Sequence, residues 1–390
     1  MLTMKQRMAL TYEVRNRYRK SSKKGKTEIL NEFVKVSGYN RSYARRVLGS
    51  LKKAGRKKKR LPRQRRHDLR VFYPLRTLWL AADGICGQRL KPFIPELIQV
   101  LAGHDELQIT QETQRKLETM GSATIDRMLA ATKRQYQLKG KATTKPGTLL
   151  RKTIAVRTFA DWDETKPGFF EADLVAFCGD SPKGEYVNGL NLTDVLSGWV
   201  GLEAIMGKSQ YRTHKAVDKV RSRLPYRMLG LDSDNGTEFI NWLLKRYCEA
   251  KKITFTRIRP YRKNDNCYVE QKNYTVLRRF LGYARYDTQE QLVIIKEILK
   301  LVETYVNFFQ PVMKLKSKQR IGSKVKKQYD QAQTPYQRLL KSGILNQKQK
   351  QQLKTFYRTL NPMELKRKIN KLTEKLNKTL RYKIHDLTNT

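Results

Sequence analysis

Apolar positions change their spacing near residue 168, and that change divides the chain. Before it they recur at three- and four-residue intervals, the period of an amphipathic helix. In "KTEILNEFVKVSGYNRSYARRVLGSLKK" (26–53), Ile29, Leu30 and Phe33 form one stripe, and Ala44, Val47, Leu48 and Leu51 the next, on either side of Gly38. Two short amphipathic helices joined at a glycine predict a helix-turn-helix. Its second helix would carry Arg41, Tyr43, Arg45 and Arg46 outward. Residues 71–133 read as helical again, with apolar runs broken at Pro92 and Pro95. There "ITQETQRKLETMGSATIDRMLAATKR" repeats the glycine-centred pair, with Ser122 placed to cap its second helix. Two polar, basic stretches, 52–66 and 139–154, read as linkers.

Beyond 168 the runs shorten, and glycines separate them. "GFFEADLVAFCG", 186–195 and 198–207 predict an antiparallel meander of three strands. A helix over 212–224, a strand over 226–232, a helix over 238–252, a strand over 253–257 and a helix over 267–283 follow. The order βββαβαβα predicts an α/β unit: a mixed five-stranded sheet with helices on both faces. Residues 286–390 are basic and read as mainly helical, including "KLKSKQRIGSKVKK", with 7 Lys/Arg and no acid.

Charge sharpens this picture. The 82 Lys and Arg against 35 Asp and Glu give +47. Residues 1–70 alone hold 24 basic and 4 acidic side chains. Such an excess repels itself in a compact fold unless a polyanion neutralises it. Nucleic acid is the obvious one, since phosphates reward Lys and Arg through counterion release. The chain shows neither a membrane-length apolar run nor the apolar core of a signal peptide. The four scattered cysteines form no CxxC pair, so a reduced, cytoplasmic setting is expected.

Against this background the acids of the α/β segment need a reason. Asp173 sits inside a strand among Phe169, Phe170, Leu174, Val175 and Phe177. Asp234 follows the fourth strand in "LDSDNGTEF", and Glu270 opens the last helix in "CYVEQKN". Each has a plain alternative: an edge carboxylate, an Asn-Gly turn, and an acid favoured by a helix dipole. Together they are more informative. With the first strand central and the fourth beside it, Asp173 and Asp234 meet at one end of the sheet, and the last helix can bring Glu270 over them. Three carboxylates so close repel unless a cation joins them. Hard oxygen ligands suit Mg²⁺, with Mn²⁺ able to substitute. Two such ions about 3.5–4 Å apart serve phosphodiester transfer.

On these residues the chain resembles the DDE integrase/transposase superfamily. It is similar to the integrase-core transposases of bacterial insertion sequences, relatives of retroviral integrases. The matching residues are Asp173 in "EADLV", Asp234 in "DSDNGTEF" and Glu270 in "CYVEQKN", with 35 residues between the last two. The likeness covers about 168–285. It implies a ribonuclease-H-like core whose acidic triad binds metal, hydrolyses DNA at element ends and joins the 3′-hydroxyl to target DNA. It also implies a homo-oligomer assembled on terminal inverted repeats and target DNA. Asp232 then becomes a strand-end residue, Glu238 a first-turn helix acid, and Glu171 a candidate auxiliary on the face of Asp173. Arg262, Lys263, Lys272 and Asn273 are expected to position DNA, whereas Tyr274 is expected to pack. The two-His two-Cys zinc finger of retroviral integrases is absent, so DNA recognition falls to the N-terminal helices. The expected division is 1–66, helix-turn-helix with basic linker; 67–150, second helical DNA-binding domain and linker; 151–285, catalytic core; and 286–390, basic C-terminal region. The alternatives are a nuclease of the same fold without joining activity and a non-catalytic DNA-binding regulator.

Overall fold

The computed structural model describes residues 2–50, 67–135, 155–157, 165–234, 236–258, 267–321 and 324–388. Both predicted linkers fall largely outside them, as do Arg262 and Lys263. The chain forms two compact units, Met1–Arg66 and His67–Thr390.

The described residues of the first unit form three helices: α1 (Met4–Lys20), α2 (Lys23–Ser37) and α3 (Arg41–Gly49). Ile29, Leu30 and Phe33 of α2 close on Ala44 and Leu48 of α3 and Tyr18 of α1. Gly38 ends α2 in the left-handed region, at φ 68°, where a side chain would be strained, and Asn40 caps α3 through the Ser42 N–H. The Arg15 guanidinium donates to the Val47 carbonyl, tying α1 to the end of α3. Burying Ala44 and Leu48 leaves Arg41, Tyr43, Arg45 and Arg46 exposed. The Arg46 guanidinium lies 5.1 Å from the Tyr43 ring centre.

The second unit begins with α4 (Leu69–Ala81), α5 (Gly87–Leu90), α6 (Ile94–Gly103), α7 (Gln111–Glu118), α8 (Ser122–Met128) and α9 (Ala130–Gln135). Ser122 does not cap α8; it is the helix's first residue, and Gly121 holds the cap position without a side-chain bond. The strands are β1 (Ala155–Arg157), β2 (Phe169–Ala176), β3 (Val187–Asp194), β4 (Val200–Met206), β5 (Gly230–Ser233) and β6 (Thr254–Ile258). They form one mixed sheet in the order β1-β6-β5-β2-β3-β4. β2, β3 and β4 are antiparallel, and β5 and β6 run parallel to β2. Without the short edge strand β1, the remaining five strands, renumbered in chain order, run 3-2-1-4-5, the mixed five-stranded sheet expected from the sequence.

Helices α10 (Gln210–Ser222), α11 (Trp242–Ala250) and α12 (Cys267–Lys272) connect and cover the strands, and α12 continues through a π-helical turn, Asn273–Arg278, into α13 (Arg279–Leu281). Then come α14 (Gln289–Phe309), a separate hairpin of β7 (Leu315–Ile321) and β8 (Lys324–Tyr329), and α15 (Pro335–Lys341), α16 (Gln347–Arg358) and α17 (Pro362–Thr388). The basic stretch after 314, read as part of a mainly helical region, is therefore a β-hairpin. Its alternation of long polar and β-favouring residues defeats a helical stripe. One continuous apolar core runs from Val71 of α4 through the sheet to Leu376 of α17. Tyr305 of α14 donates its hydroxyl proton to the Ala81 carbonyl at 2.6 Å, joining the leading helices to that core.

Candidate active site

The sheet places the first two acids. β2 and β5 are parallel neighbours, with Glu171 opposite Asp232 and Ala172 opposite Ser233, so Asp173 and Asp234 come next in register. Asp173 accepts from its neighbour's backbone, Leu174 N, at 2.8 Å and from Asn273 Nδ2 at 2.5 Å. Asn273 Oδ1 in turn accepts from Asn191 Nδ2 at 2.9 Å, and Asn191 Oδ1 from the Thr193 hydroxyl at 3.1 Å. Asn191 is the β3 residue directly opposite Asp173. An amide relay thus joins two strands to the helix lying across them.

That helix is also anchored at its start. Glu171, fully buried, accepts from Val269 N in the first turn of α12 at 2.6 Å. Glu171 and Asp173 share a face of β2, as strand alternation requires, and both meet the same helix. Glu270 lies beside the anchored Val269, on the exposed side, within electrostatic range of Asp173.

Burial, the Asp234 charge and the Glu270 charge push the Asp173 carboxyl up to about 7, against the lowering effect of its hydrogen bonds. Burial also raises Asp234, to about 6; the Gly236 N–H, 3.0 Å from its Oδ1, opposes this, Glu238 adds to it, and Lys208 opposes it. Gly236 leaves room for the two acids to approach each other. A Cβ on it would lie 2.7 Å from the Glu238 carboxyl carbon and 2.9 Å from Asp234 Oδ1. Glu238 is thus not a first-turn helix acid: α11 begins only at Trp242, capped by Asn241, and Glu238 stands in the preceding turn beside Asp234. Asp232 is buried and accepts from the Thr256 hydroxyl across β5–β6.

Among the described residues, no three His, Cys, Asp or Glu side chains are close enough together to hold a metal ion. Asp173 and Asp234 nonetheless have the right donor chemistry: hard oxygens, at adjacent strand ends, whose charges are costly to bury together.

The other expected residues divide. Asn273 is at the site but turned to Asp173, so it orients the acid. Lys272 lies in electrostatic range of Arg89, Lys314 and Arg338, and burial, aided by these cations, lowers its ammonium to about 7. Tyr274 does not pack; it is 46% exposed. Asn191 and Lys208 escaped the sequence reading. A polar residue in the middle of the wholly buried β3 was the available signal for Asn191; Lys208, one more cation in a basic chain, offered none.

No protein-family model matches the chain. Its sequence is 35% identical over 332 residues to the uncharacterized protein y4rM of Sinorhizobium fredii, covering 84% of this chain and 93% of that protein. The chain belongs to the y4rM family. Among solved structures, the chain is similar to the catalytic core domain of BIV integrase, at 20% identity and TM-score 0.31 over 45% of this chain and 95% of that one. It is also similar to the HTLV-2 integrase catalytic core domain in complex with magnesium, at 16% identity and TM-score 0.29 over 38% of this chain and 91% of that one. No helix among the described residues is long and apolar enough to cross a membrane.

Proposed function

We propose that this chain is a DNA transposase that hydrolyses phosphodiesters at the ends of a mobile element and joins the freed 3′-hydroxyl to target DNA. The observation that carries the reading is the meeting of Asp173 and Asp234 at adjacent parallel strand ends under the helix that bears Glu270. A protein with so large a basic excess gains nothing from buried, mutually repelling carboxylates as a pure DNA binder. They suit a site that concentrates negative charge for a cation. Asp173, Asp234 and Glu270 would hold Mg²⁺ or Mn²⁺, which supplies Lewis acidity to the attacking and leaving oxygens. The chain's own residues prepare that site. Asn273 and Leu174 N fix the Asp173 carboxylate, Gly236 N fixes Asp234, and Glu171 holds the start of α12, the helix that carries Glu270.

The exposed Arg41, Tyr43, Arg45 and Arg46 of α3 would face terminal-repeat DNA, with 1–66 as a recognition domain and 67–150, 151–285 and 286–390 as the remaining divisions. Arg262 and Lys263, which precede α12 in the sequence, would contact phosphate. Pairing two element ends calls for a homo-oligomer on DNA, working in the cytoplasm. The test is cleavage and strand transfer on labelled DNA taken from the ends of the element that carries the gene. Asp173→Asn, Asp234→Asn and Glu270→Gln should each abolish both steps, while Asp232→Asn keeps much of the activity. Three active triad variants would sink the mechanism; cleavage without joining by the unaltered chain would make it a nuclease.

A further inference from the structure

The hairpin β7–β8 is strongly basic. Residues 315–329 contain six Lys/Arg and no Asp or Glu. Its strands pair only with each other and take no part in the main sheet. Lys316, Arg320, Lys326 and Lys327 are exposed. A two-stranded hairpin standing alone is marginally stable in water, and concentrating like charges on it makes it less so. Such an element needs an external reason to be where it is.

Its base is held firmly. Lys314 N donates to Asp330 Oδ1 at 2.6 Å, and Asp330 N returns a bond to the Lys314 carbonyl at 2.9 Å. The Arg338 guanidinium donates to Asp330 Oδ2 at 2.7 Å and to the Val312 carbonyl at 2.8 Å. The Lys314 ammonium donates to the carbonyls of Val195 and Leu196, just past β3. Lys314 also lies in electrostatic range of Glu171, the residue that anchors α12. The ribbon is therefore rooted in the scaffold that supports the acidic site, while the described side chains of its two strands are exposed.

We propose that this hairpin is a duplex-DNA arm, contacting the phosphate backbone through Lys316, Arg320, Lys326 and Lys327. Charge complementarity selects a polyanion, and shape selects a duplex, because a two-stranded ribbon fits the major groove, about 12 Å wide. A lipid surface fits less well. Among the described residues, the ribbon's exposed large apolar side chains are Leu315 and Tyr329, register partners at its base, and Val325 nearer the tip opposite Arg320, and the cations outnumber them. The arm deepens the transposase reading and rests on it for the origin of the DNA, but its affinity requires no catalysis.

The experiment uses the full chain in EDTA and a mixed-sequence B-form duplex, with binding followed by fluorescence anisotropy over a range of salt. The variant K316Q/R320Q/K326Q/K327Q should bind more weakly, and the slope of log K against log salt should flatten by about 0.9 per lost contact, roughly 3–4 units in all. The charge-keeping K316R/K326R/K327R variant should retain the slope, which separates contact from folding. An unchanged slope in the glutamine variant overturns the proposal. So does a loss confined to phosphatidylserine vesicles with duplex binding intact. A flattened slope together with fully active triad variants would keep the arm and discard the transposase reading.

Discussion

Asp173→Asn should stabilise the metal-free protein above neutral pH while destroying the proposed activity. The folded state raises this carboxyl from 3.8 to about 7. Between those values the folded chain holds a proton that the unfolded chain has released, so stability falls as pH rises through the window and stays low above it. Roughly three pKa units at about 1.4 kcal/mol each set a ceiling near 4 kcal/mol. Partial solvent access and relaxation of the charge reduce this to about 2 kcal/mol. An amide escapes the penalty and need not lose its hydrogen bonds. Its oxygen can keep Leu174 N. Its amino group then needs an acceptor, and Asn273 becomes one by turning its amide over. Asn191 turns likewise, and the Thr193 hydroxyl ends the relay, because a hydroxyl accepts as readily as it donates. Every bond now made along Asp173, Asn273, Asn191 and Thr193 has a reversed counterpart. Thermal unfolding in EDTA at several pH values is the assay. The variant should melt higher at pH 8, by about 2–5 °C for a unit of this size, and the gap should close toward pH 4. A variant that melts lower at pH 8, or a gap that does not change with pH, would refute the burial argument. Added Mg²⁺ should raise the melting temperature of the unaltered chain more than that of the variant.

Two further outcomes follow from local geometry. Gly236→Ala should lower cleavage at least tenfold with little change in duplex affinity, because its Cβ would force apart Asp234 and Glu238; unaltered cleavage would show that their approach is irrelevant. Replacing Arg45 and Arg46 by Ala should weaken binding to terminal-repeat DNA, with specificity relaxed by about 1–3 kcal/mol if they read bases, or the salt slope flattened by about one unit each if they touch phosphate. Electrophoretic mobility shifts against mixed-sequence competitor, repeated over a range of salt, distinguish the two, and no effect on either would remove α3 from DNA recognition.

The sheet was legible because its strands carry their own signal. Runs such as Phe169–Val175 and Val200–Ile205 are too short and too apolar to be surface helices, and glycines separate them. Once β2 is taken as central with β5 beside it, the meeting of Asp173 and Asp234 follows from register alone. Strand and helix starts were less legible. β5 begins at Gly230 and α11 at Trp242, each four residues after the apolar pattern suggested, because that pattern marks what is buried and not which backbone groups pair. The hairpin was read as helix for a related reason: its exposed face leaves no apolar stripe, and a run of lysines is compatible with any solvated element. Least legible were the residues that hold the acids in place. Glu171 looked like one more carboxylate near the site, yet its position opposite the start of α12 makes it an acceptor for a helix N–H. Asn191 can donate to Asn273 beside Asp173 because the β2–β3 register sets it opposite that acid. The pattern in the sequence can nominate groups that converge, as with Asp173 and Asp234. It cannot nominate groups whose work is to orient them, because that work depends on a partner from a distant strand, and any polar residue of the right reach can do it.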